Sequence, residues 1–325
     1  MPNPLLLSPQ PMHIPDGFLS VLVSIVFWIV SMVVIGIALR RTNKDLGERR
    51  IPLMGVMAAA IFAGQMLNFS VSGGTSGHLL GAALATIVLG PWAAVLVMTS
   101  VVSVQALVFQ DGGILALGAN IFNMAIVGVF VSHAAYSILQ SLIGKHPRGL
   151  FVSGLIAAWS SIFVASLSCS IQLALSGTSP ANVVIPAMSG IHALIGIGEG
   201  LITSGALAVM LTARRDLLHW ENPQNSNTRG IVAGGILIGV ILAVLAPLAS
   251  NHPDGLEWVA EQNQFLHYAR NAFYQLIPDY AFPGISSQSL ATIVAGIIGV
   301  VIVFGVALGM GRVQRQRRSK ENPQD

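Results

Sequence analysis

Residues 51–110 read IPLMGVMAAAIFAGQMLNFSVSGGTSGHLLGAALATIVLGPWAAVLVMTSVVSVQALVFQ, a stretch without a single aspartate, glutamate, lysine or arginine. A second uncharged stretch covers residues 149–198. A membrane-spanning helix needs only about 20 predominantly apolar residues, whereas soluble domains do not tolerate uncharged runs of this length. The two stretches therefore predict helices embedded in a lipid bilayer.

The composition of the whole chain agrees with that prediction. Of its 325 residues, 54% are hydrophobic and only 9% are charged, and the mean hydropathy is +0.74, as is typical of membrane proteins. The formal net charge of +3 comes from loop residues and does not indicate a nucleic-acid partner. The single cysteine, Cys169, excludes an internal disulfide and is interpreted as a small packing residue.

Charged loops and Gly-Pro breaks divide the apolar sequence into about nine segments, which predicts an all-α, polytopic helical bundle. The third segment is too short to cross a bilayer alone, and Gly90-Pro91 separates it from the fourth. The predicted segments cover residues 18–39, 51–69, 78–89, 92–109, 115–142, 150–175, 185–211, 231–248 and 290–308.

The distribution of positive charge predicts the orientation of these segments. If the N-terminus lies outside and the segments alternate, all of the sixteen lysines and arginines except Arg270 fall inside, as the positive-inside rule requires. The C-terminus then lies inside, and residues 12–13 share the outer face with the Gly-rich loop at residues 72–77. We predict a multi-pass protein of the cell (inner or plasma) membrane.

The segment MHIPDGF at residues 12–18 carries the most informative chemistry. If Met12 begins the chain, its α-amine, the backbone nitrogen of His13 and the His13 imidazole form a tridentate chelate. A deprotonated amide nitrogen favours square-planar nitrogen ligation, which suits Ni(II) or Cu(II), with Co(II) also compatible, rather than tetrahedral Zn(II). His78, directly after the Gly-rich loop, is the candidate for the fourth ligand. The predicted metal ligands are therefore Met12, His13 and His78.

The residues before Met12 set a condition on this chelate. Residues 1–11 contain three prolines between positions 4 and 11 and lack the basic start and long apolar core of a signal peptide. We interpret them as a leader or a misassigned start, because Met12 has no free amine while Pro11 stays attached. The simpler interpretation of Met12-His13 is an ordinary initiator methionine followed by a surface histidine. The simpler interpretation of His78 is an interfacial histidine that is hydrogen-bonded to the backbone.

Several longer motifs connect these residues to a known family. The chain resembles the cobalt/nickel substrate-capture subunits of energy-coupling-factor transporters, with a C-terminal unit similar to their small two-span PDGLE-type companion subunit. The capture-subunit motifs are Met12–Ser20, Gly73–Gly81, Leu117–Met124 and Ile191–Gly196, and the companion motif is Pro253–Glu257.

The resemblance implies a function, a ligand set and partners. It implies that Co(II) or Ni(II) is captured at the outer face as the transported substrate, without an organic cofactor. The implied ligands are the amine of Met12, the amide and imidazole of His13, and His78. The implied partners are a transmembrane coupling subunit and cytoplasmic ATPase subunits. The expected domains are a leader at residues 1–11, a metal-capture domain at 12–215, a cytoplasmic linker at 216–229 and a two-span unit at 230–325.

Missing motifs narrow the function further. The chain has no Gly-x-x-x-x-Gly-Lys-[Ser/Thr] phosphate loop and no His-Glu-x-x-His motif, so we expect a transport component without its own ATPase rather than an enzyme. One alternative is a secondary transporter of a small solute or ion, which predicts internal repeats that we do not see, although the short segment 78–89 favours it. Another is a metal-sensing receptor, for which the inner loops are too short.

Polar residues outside the predicted ligand set have two interpretations. His192 and Glu199 share one face of the seventh segment, about 10 Å apart, and intramembrane ionisable residues are functional candidates. We nevertheless expect a structural hydrogen bond or a partner contact, and place both outside the metal site. The candidates to hold the Gly-rich loop or His78 are Asn68, Gln105, Asn120 and Asn123.

The outer loop of the C-terminal unit is rich in potential ligands. It is either a metal funnel or a solvated loop that contacts the main unit, and we favour the second interpretation because its residues show no convincing ligand spacing. The residues concerned are His252, Asp254, Glu257, Glu261 and His267.

Overall fold

A computed structural model describes residues 13–45, 50–144, 146–218 and 228–321. Residues 1–11 and Met12 lie outside the described residues. Helices dominate the described chain, and a single hairpin of two three-residue strands, β1 (Phe69–Val71) and β2 (Thr75–Gly77), interrupts them. The helices are α1 (Val21–Asp45), α2 (Arg50–Gln65), α3 (Ala82–Leu89), α4 (Pro91–Val108), α5 (Leu117–Ile121), α6 (Gly128–Ile143), α7 (Pro147–Leu175), α8 (Ala181–Ala213), α9 (Thr228–Leu245), α10 (Gly255–Gln262) and α11 (Gln288–Glu321).

Every predicted membrane segment coincides with helix. Within the described residues, seven helical stretches are long and apolar enough to cross a membrane. The other two predicted segments are α2, with 16 residues, and α3, with only 8. The predicted all-α polytopic membrane fold is therefore confirmed, while the orientation of the termini stays a prediction.

The fifth predicted segment is not one regular helix. Helix α5 continues into a π-helical stretch, Phe122–Val127, before α6 begins. A π-helical insertion changes the direction in which the following side chains point, and such insertions are frequent at functional sites. Asn123 lies in this stretch and lines a cavity that His13 and His78 also line.

The C-terminal helices pack directly onto the N-terminal unit. Helix α2 contacts both α9 and α11. Gly55 of α2 abuts Phe304, and Gly235 of α9 abuts Val56, so closely that a Cβ atom would overlap the neighbouring side chain. Small residues are the usual means by which helices approach each other in a membrane. The two units therefore share one helical bundle.

Gly118 illustrates the same packing between α5 and α1. A Cβ atom at this position would lie 2.5 Å from the Cα atom of Trp28 and 2.6 Å from its backbone nitrogen. Backbone cannot move aside as a flexible side chain can. The glycine is therefore required at this crossing.

We expect Gly118→Ala to destabilise the protein by about 1–3 kcal/mol, because the added methyl group overpacks a backbone contact. The matched control is Gly36→Ala in α1, where no atom lies within 4 Å of the new Cβ. Because alanine has a higher helix propensity than glycine, that control should be stabilised by up to about 1 kcal/mol. Thermal unfolding in detergent measures both, and equal melting temperatures would contradict the assigned contact.

The Gly-rich loop makes an exposed turn between β1 and β2 and becomes buried along β2. Gly73 and Gly74 have φ values of +93° and +80°, a conformation that residues with a Cβ rarely adopt. At the end of β2, Gly77 has no room for a Cβ because Ile195 of α8 packs against it. The loop therefore delivers His78 into the bundle beside α8.

Candidate metal centre

The N-terminal segment is held inside the bundle by two polar side chains. The Asp16 carboxylate accepts hydrogen bonds from the backbone nitrogens of Ile114 and Ala116, both at 3.1 Å. The Asn120 amide accepts from the nitrogen of Ile14 and donates to its carbonyl oxygen, again at 3.1 Å. These contacts leave His13 only 4% exposed.

Two nitrogens of His13 converge on one oxygen atom. The backbone nitrogen of His13 donates to Asp111 Oδ1 at 3.2 Å, and His13 Nδ1 lies 3.0 Å from the same Oδ1 atom. The other ring nitrogen, Nε2, is buried and has no hydrogen-bond partner among the described residues. The pair of nitrogens predicted to chelate a metal therefore already faces a common point.

Electrostatics favour an ion pair at this point. Burial alone lowers the pKa of the His13 imidazole, but the Asp111 charge and its hydrogen bonds outweigh burial and raise the pKa above its ordinary value. Burial alone raises the pKa of Asp111, but His13 and a hydrogen bond from Tyr280 outweigh it and lower that pKa. Asp111 is thus a buried carboxylate that stabilises a protonated His13.

His78 lies beside His13. Their ring centroids are 5.7 Å apart and the ring planes are nearly perpendicular, at 85°. His78 Nδ1 donates to the carbonyl oxygen of Leu79 at 3.1 Å, which leaves Nε2 as the lone-pair nitrogen. Desolvation, with a further contribution from His13, lowers the pKa of His78 to about 4. At neutral pH His78 is therefore a neutral imidazole, the form that binds a metal.

A series of hydrogen-bonded polar side chains fixes the backbone that follows His78. The Glu199 carboxylate, fully buried in α8, accepts hydrogen bonds from the nitrogens of Leu80 at 2.6 Å and Gly81 at 3.0 Å. Gln65 donates to the Leu80 carbonyl oxygen at 2.9 Å, and Gln105 donates to Gln65 at 2.8 Å. Glu199 therefore has a structural hydrogen bond, as expected, but one made to the loop that carries a predicted ligand.

Both histidines line the same cavity. A cavity of about 90 Å³ lies between the N-terminal segment, the Gly-rich loop, α7 and α8. His192 lines it too, with Nδ1 donating to the Met188 carbonyl oxygen at 2.8 Å. The lining also includes Cys169, together with Asp254 from the C-terminal unit. His192, which the sequence analysis placed outside the metal site, and Cys169, interpreted as a packing residue, therefore line the same cavity as the two predicted ligands.

The outer loop of the C-terminal unit contacts each segment that builds the site. Pro253 accepts a backbone hydrogen bond from Ser76 of the Gly-rich loop at 2.8 Å. The nitrogen of Arg270 donates to the Asp16 carbonyl oxygen of the N-terminal segment at 2.7 Å. Tyr280 donates to Asp111 Oδ2 at 2.5 Å. The loop thus contacts the main unit, as one part of the favoured interpretation has it, but it is not solvated throughout, because Asp254 and Glu257 are buried.

The acidic residues of that loop do not form a separate ligand cluster. Asp254 and Glu257 are buried, and burial is the main cause that raises the pKa of Asp254 to about 7 and that of Glu257 to about 8. His252 and His267 are exposed. Among the described residues, no group of three or more His, Cys, Asp or Glu side chains is placed to hold a metal. The proposed chelate differs from such a group because backbone nitrogens supply part of it.

Family comparison agrees with this architecture. A family model described as the cobalt uptake substrate-specific transmembrane region matches residues 13–217. The chain belongs to this family. A second model, the PDGLE domain, matches residues 229–316. The resemblance of both units is thereby confirmed.

Two relatives each cover nearly the whole chain. A protein of Archaeoglobus fulgidus named as a putative fused nickel transport protein, NikMN, is 37% identical over 94% of this chain and 99% of its own length. The fused nickel transport protein NikMN of Rhodobacter capsulatus is 31% identical over 95% of this chain and 100% of its own. A crystal structure described as a truncated transition metal transporter is 36% identical, covers 62% of this chain and 99% of its own, and has a TM-score of 0.56.

These relatives define the class of this member of the cobalt-uptake family. It is a multi-pass cell-membrane protein, a transport component of metal uptake and not an enzyme. Of its predicted ligands, the fold brings His13 and His78 together, and Met12 lies outside the described residues.

The predicted supporting residues of this family member have different roles. Asn120 holds the N-terminal segment rather than the Gly-rich loop, while Gln105 reaches that loop through Gln65. Asn123 instead pairs with Gln172 at 2.9 Å. Asn68 contributes its carbonyl oxygen to Ser250 of the C-terminal unit.

Proposed function

We propose that this chain is the substrate-specific component of an ATP-driven energy-coupling-factor importer and captures Ni(II) or Co(II) at the outer face. One observation carries the proposal: the His13 backbone nitrogen and Nδ1 face a single point, 3.2 and 3.0 Å from Asp111 Oδ1. A chelate requires two donors that converge in this way. The His78 ring beside them supplies a further nitrogen.

The proposed ligand set contains four nitrogens. The amine of Met12 precedes the His13 amide in the chain, so it is the natural third donor on the His13 side, and His78 Nε2 completes the square. Each of these donors must be deprotonated to bind, so metal affinity falls as the pH falls. The site accordingly binds its substrate in the plane that Ni(II) prefers.

The choice between the two metals rests on chemistry and supply. The family description names cobalt, whereas the fused relatives are named for nickel. Square-planar nitrogen ligation favours nickel, and Cu(II) binds such sites tightest by the Irving–Williams order. We therefore propose Ni(II) or Co(II) as the substrate, selected partly by availability, and no organic cofactor.

Energy for import must come from other subunits. The sequence has no phosphate-binding loop, so we propose cytoplasmic ATPase subunits and a transmembrane coupling subunit as partners. In reconstituted vesicles, nickel uptake should require these subunits and ATP. Uptake by this chain alone, without ATP, would instead favour a secondary transporter.

The proposed division of the chain follows from these roles. We propose that residues 12–215 form the metal-capture domain. Residues 216–229 link it to the two-span unit at residues 230–325.

We expect square-planar binding of Ni(II) only when Met12 has a free amine. A chain that begins at Met12 should bind one equivalent of Ni(II) and show the absorption spectrum of diamagnetic square-planar nickel. The control is the same chain with an acetylated N-terminus, which removes only the amine and should lose that spectrum. N-terminal sequencing of the native protein, combined with its metal content, tests which form exists. Tight binding with the same spectrum and an intact Met1 would contradict the amine ligand.

A further inference from the structure

Three residues that line the cavity beside the proposed nickel ligands carry sulphur. They are Cys169 of α7, Met188 of α8 and Met124 of the π-helical stretch, and all three are buried. His192 of α8 adds an imidazole to the lining. Thiolate and thioether are ligands that select soft cations, whereas the proposed nickel site uses nitrogen alone.

The packing of α7 against α8 fixes which of these side chains lie close together. Gly200 of α8 packs against Leu155 of α7. Gly196, one turn earlier in α8, packs against Trp159 and Ile162. Positions that increase along α7 thus pair with positions that decrease along α8, so the two helices are antiparallel. Each further turn along α7 is matched by one turn back along α8.

This register brings Cys169 and His192 to neighbouring levels. One turn beyond the last of those contacts, Ser166 is level with His192. Cys169 follows close to the level of Met188, so it is separated from the level of His192 by about one turn, or about 5.4 Å along the helix. Ser166 and Cys169 both line the cavity, which agrees with a shared face of α7.

The direction of the two side chains closes this gap. Side chains in a helix lean toward its N-terminus. His192 does so, because its Nδ1 donates to the Met188 carbonyl oxygen, four residues earlier, at 2.8 Å. Its Nε2 is then the nitrogen with the lone pair. By the same rule Cys169 leans toward the start of α7, and in an antiparallel pair this is the direction of His192.

His13 gives a second, independent sign that the cavity holds a ligand. Its Nε2 atom is buried and has no hydrogen-bond partner among the described residues, and His13 is only 4% exposed and lines the cavity. Because Nδ1 faces Asp111, Nε2 is directed away from that carboxylate. The proposed chelate uses Nδ1 and leaves Nε2 unsatisfied. A buried polar atom of this kind points to a bound group that the described residues do not supply.

The donor set indicates the kind of cation. Structural zinc sites are almost always four-coordinate, and no described group of three or more His, Cys, Asp or Glu side chains is placed to hold a metal. Cu(I) and Ag(I) need only two or three ligands and prefer sulphur. A monovalent cation also cancels the charge of one thiolate, so that no net charge is buried. The cavity volume of about 90 Å³ is ample for one ion.

We propose that this cavity contains a second metal site, in which the Cys169 thiolate and His192 Nε2 bind Cu(I) or its stable analogue Ag(I), with the Met188 thioether as a third donor. Binding forms a sulphur–metal bond and releases the thiol proton to solvent, and no electron is transferred. The site goes beyond the proposed function, because none of these three residues supplies a nitrogen of the nickel chelate.

The first test is a titration of the full chain with Ag(I), which needs no reductant. Cys169 is the only cysteine of the sequence, so ultraviolet absorption by a silver–thiolate bond reports this residue alone. We expect one equivalent of Ag(I) to bind with this absorption. Cys169→Ala should lose the absorption and bind Ag(I) at least about a hundredfold more weakly, since losing a ligand costs more than losing an outer-shell partner.

A matched pair of histidine variants tests the second ligand. His192→Ala should weaken Ag(I) binding by about tenfold or more, because it removes the lone-pair nitrogen beside the sulphur. The control is His133→Ala, which removes an exposed histidine of α6 and should match the unmodified chain. Melting temperatures establish that each variant is folded.

Nickel titration of the same variants separates this site from the proposed function. Cys169→Ala should retain the nickel affinity of the unmodified chain. If the unmodified chain binds no Ni(II) but binds Ag(I) with thiolate absorption, the proposed function fails and the second site stands.

The second site is overturned if Ag(I) does not bind, binds without thiolate absorption, or binds Cys169→Ala as tightly as the unmodified chain. In the last two cases silver occupies other donors, such as the nitrogens proposed for nickel. If Cys169→Ala does not fold, the histidine pair decides, because equal Ag(I) affinities of His192→Ala and His133→Ala would also overturn the site.

Discussion

Replacement of His78 by alanine is expected to abolish tight nickel binding while leaving the fold intact. Among the described residues, the His78 ring makes one hydrogen bond, to the carbonyl oxygen of the adjacent Leu79, so its loss removes little stability. The substitution does remove the fourth nitrogen ligand of the proposed square-planar metal site. We expect the dissociation constant to rise by at least about a hundredfold, more than the usual cost of losing an outer-shell partner.

His78→Ala is a cleaner test than His13→Ala. Removing the His13 ring also breaks its buried ion pair with Asp111, at 3.0 Å, and removal of one partner of a buried ion pair destabilises a protein strongly. A loss of metal binding in that variant would then have two causes. His78 is held close to His13, with ring centroids 5.7 Å apart, but its hydrogen bond is made to a neutral backbone carbonyl and not to a carboxylate.

The control for His78→Ala is His252→Ala. His252 is an exposed histidine on the outer loop, and its contact with Ser76 uses its backbone carbonyl oxygen, which alanine retains. Calorimetric titration with Ni(II), together with melting temperatures, compares the two variants. Retention of normal affinity by His78→Ala would exclude it as a ligand. A loss of affinity in His252→Ala would instead support the funnel interpretation of the outer loop.

The helical segments could be predicted because they depend on hydropathy alone. The breaks in the apolar sequence marked nine segments, and each coincides with helical structure. Hydropathy does not reveal how a helix is wound, so the π-helical stretch Phe122–Val127 had no visible signal. The short strands β1 and β2 were missed for a similar reason, since glycine-rich turn residues mark a loop without specifying its pairing.

The candidate site could be predicted only in part. His13 and His78 could be proposed because the sequence places them in distinctive local contexts, a chelating start and a Gly-rich loop. Asp111 and Tyr280 are separated from each other by 169 positions and meet only through packing of the two units. No spacing rule connects such residues. Asp111 was visible in sequence only as part of an Asp-Gly-Gly turn, and Tyr280 had no visible signal.

Glu199 shows how a buried charge can be recognised without its role being evident. Its position inside a membrane helix marked it as a functional candidate. Its partners, the backbone nitrogens of Leu80 and Gly81, carry no side-chain signature that a sequence could display. The carboxylate accepts hydrogen bonds from the two backbone nitrogens that directly precede α3. The helix dipole favours an anion at this end of the helix. It thereby fixes the chain directly after His78.

Glu199→Ala is therefore expected to destabilise the protein by about 3 kcal/mol or more, because two buried N–H groups lose a charged acceptor. The same variant should bind Ni(II) more weakly, since the loop that carries His78 loses its attachment to α8.

The matched control is Thr203→Val, one turn further along α8. Thr203 is also fully buried, and its hydroxyl has no hydrogen-bond partner among the described residues, so its removal should cost nothing. Thermal unfolding and nickel titration of both variants test the assignment. If Glu199→Ala were as stable as Thr203→Val, its carboxylate would not anchor the loop; if it were unstable but retained full affinity, the anchor would be structural and unconnected to the position of His78.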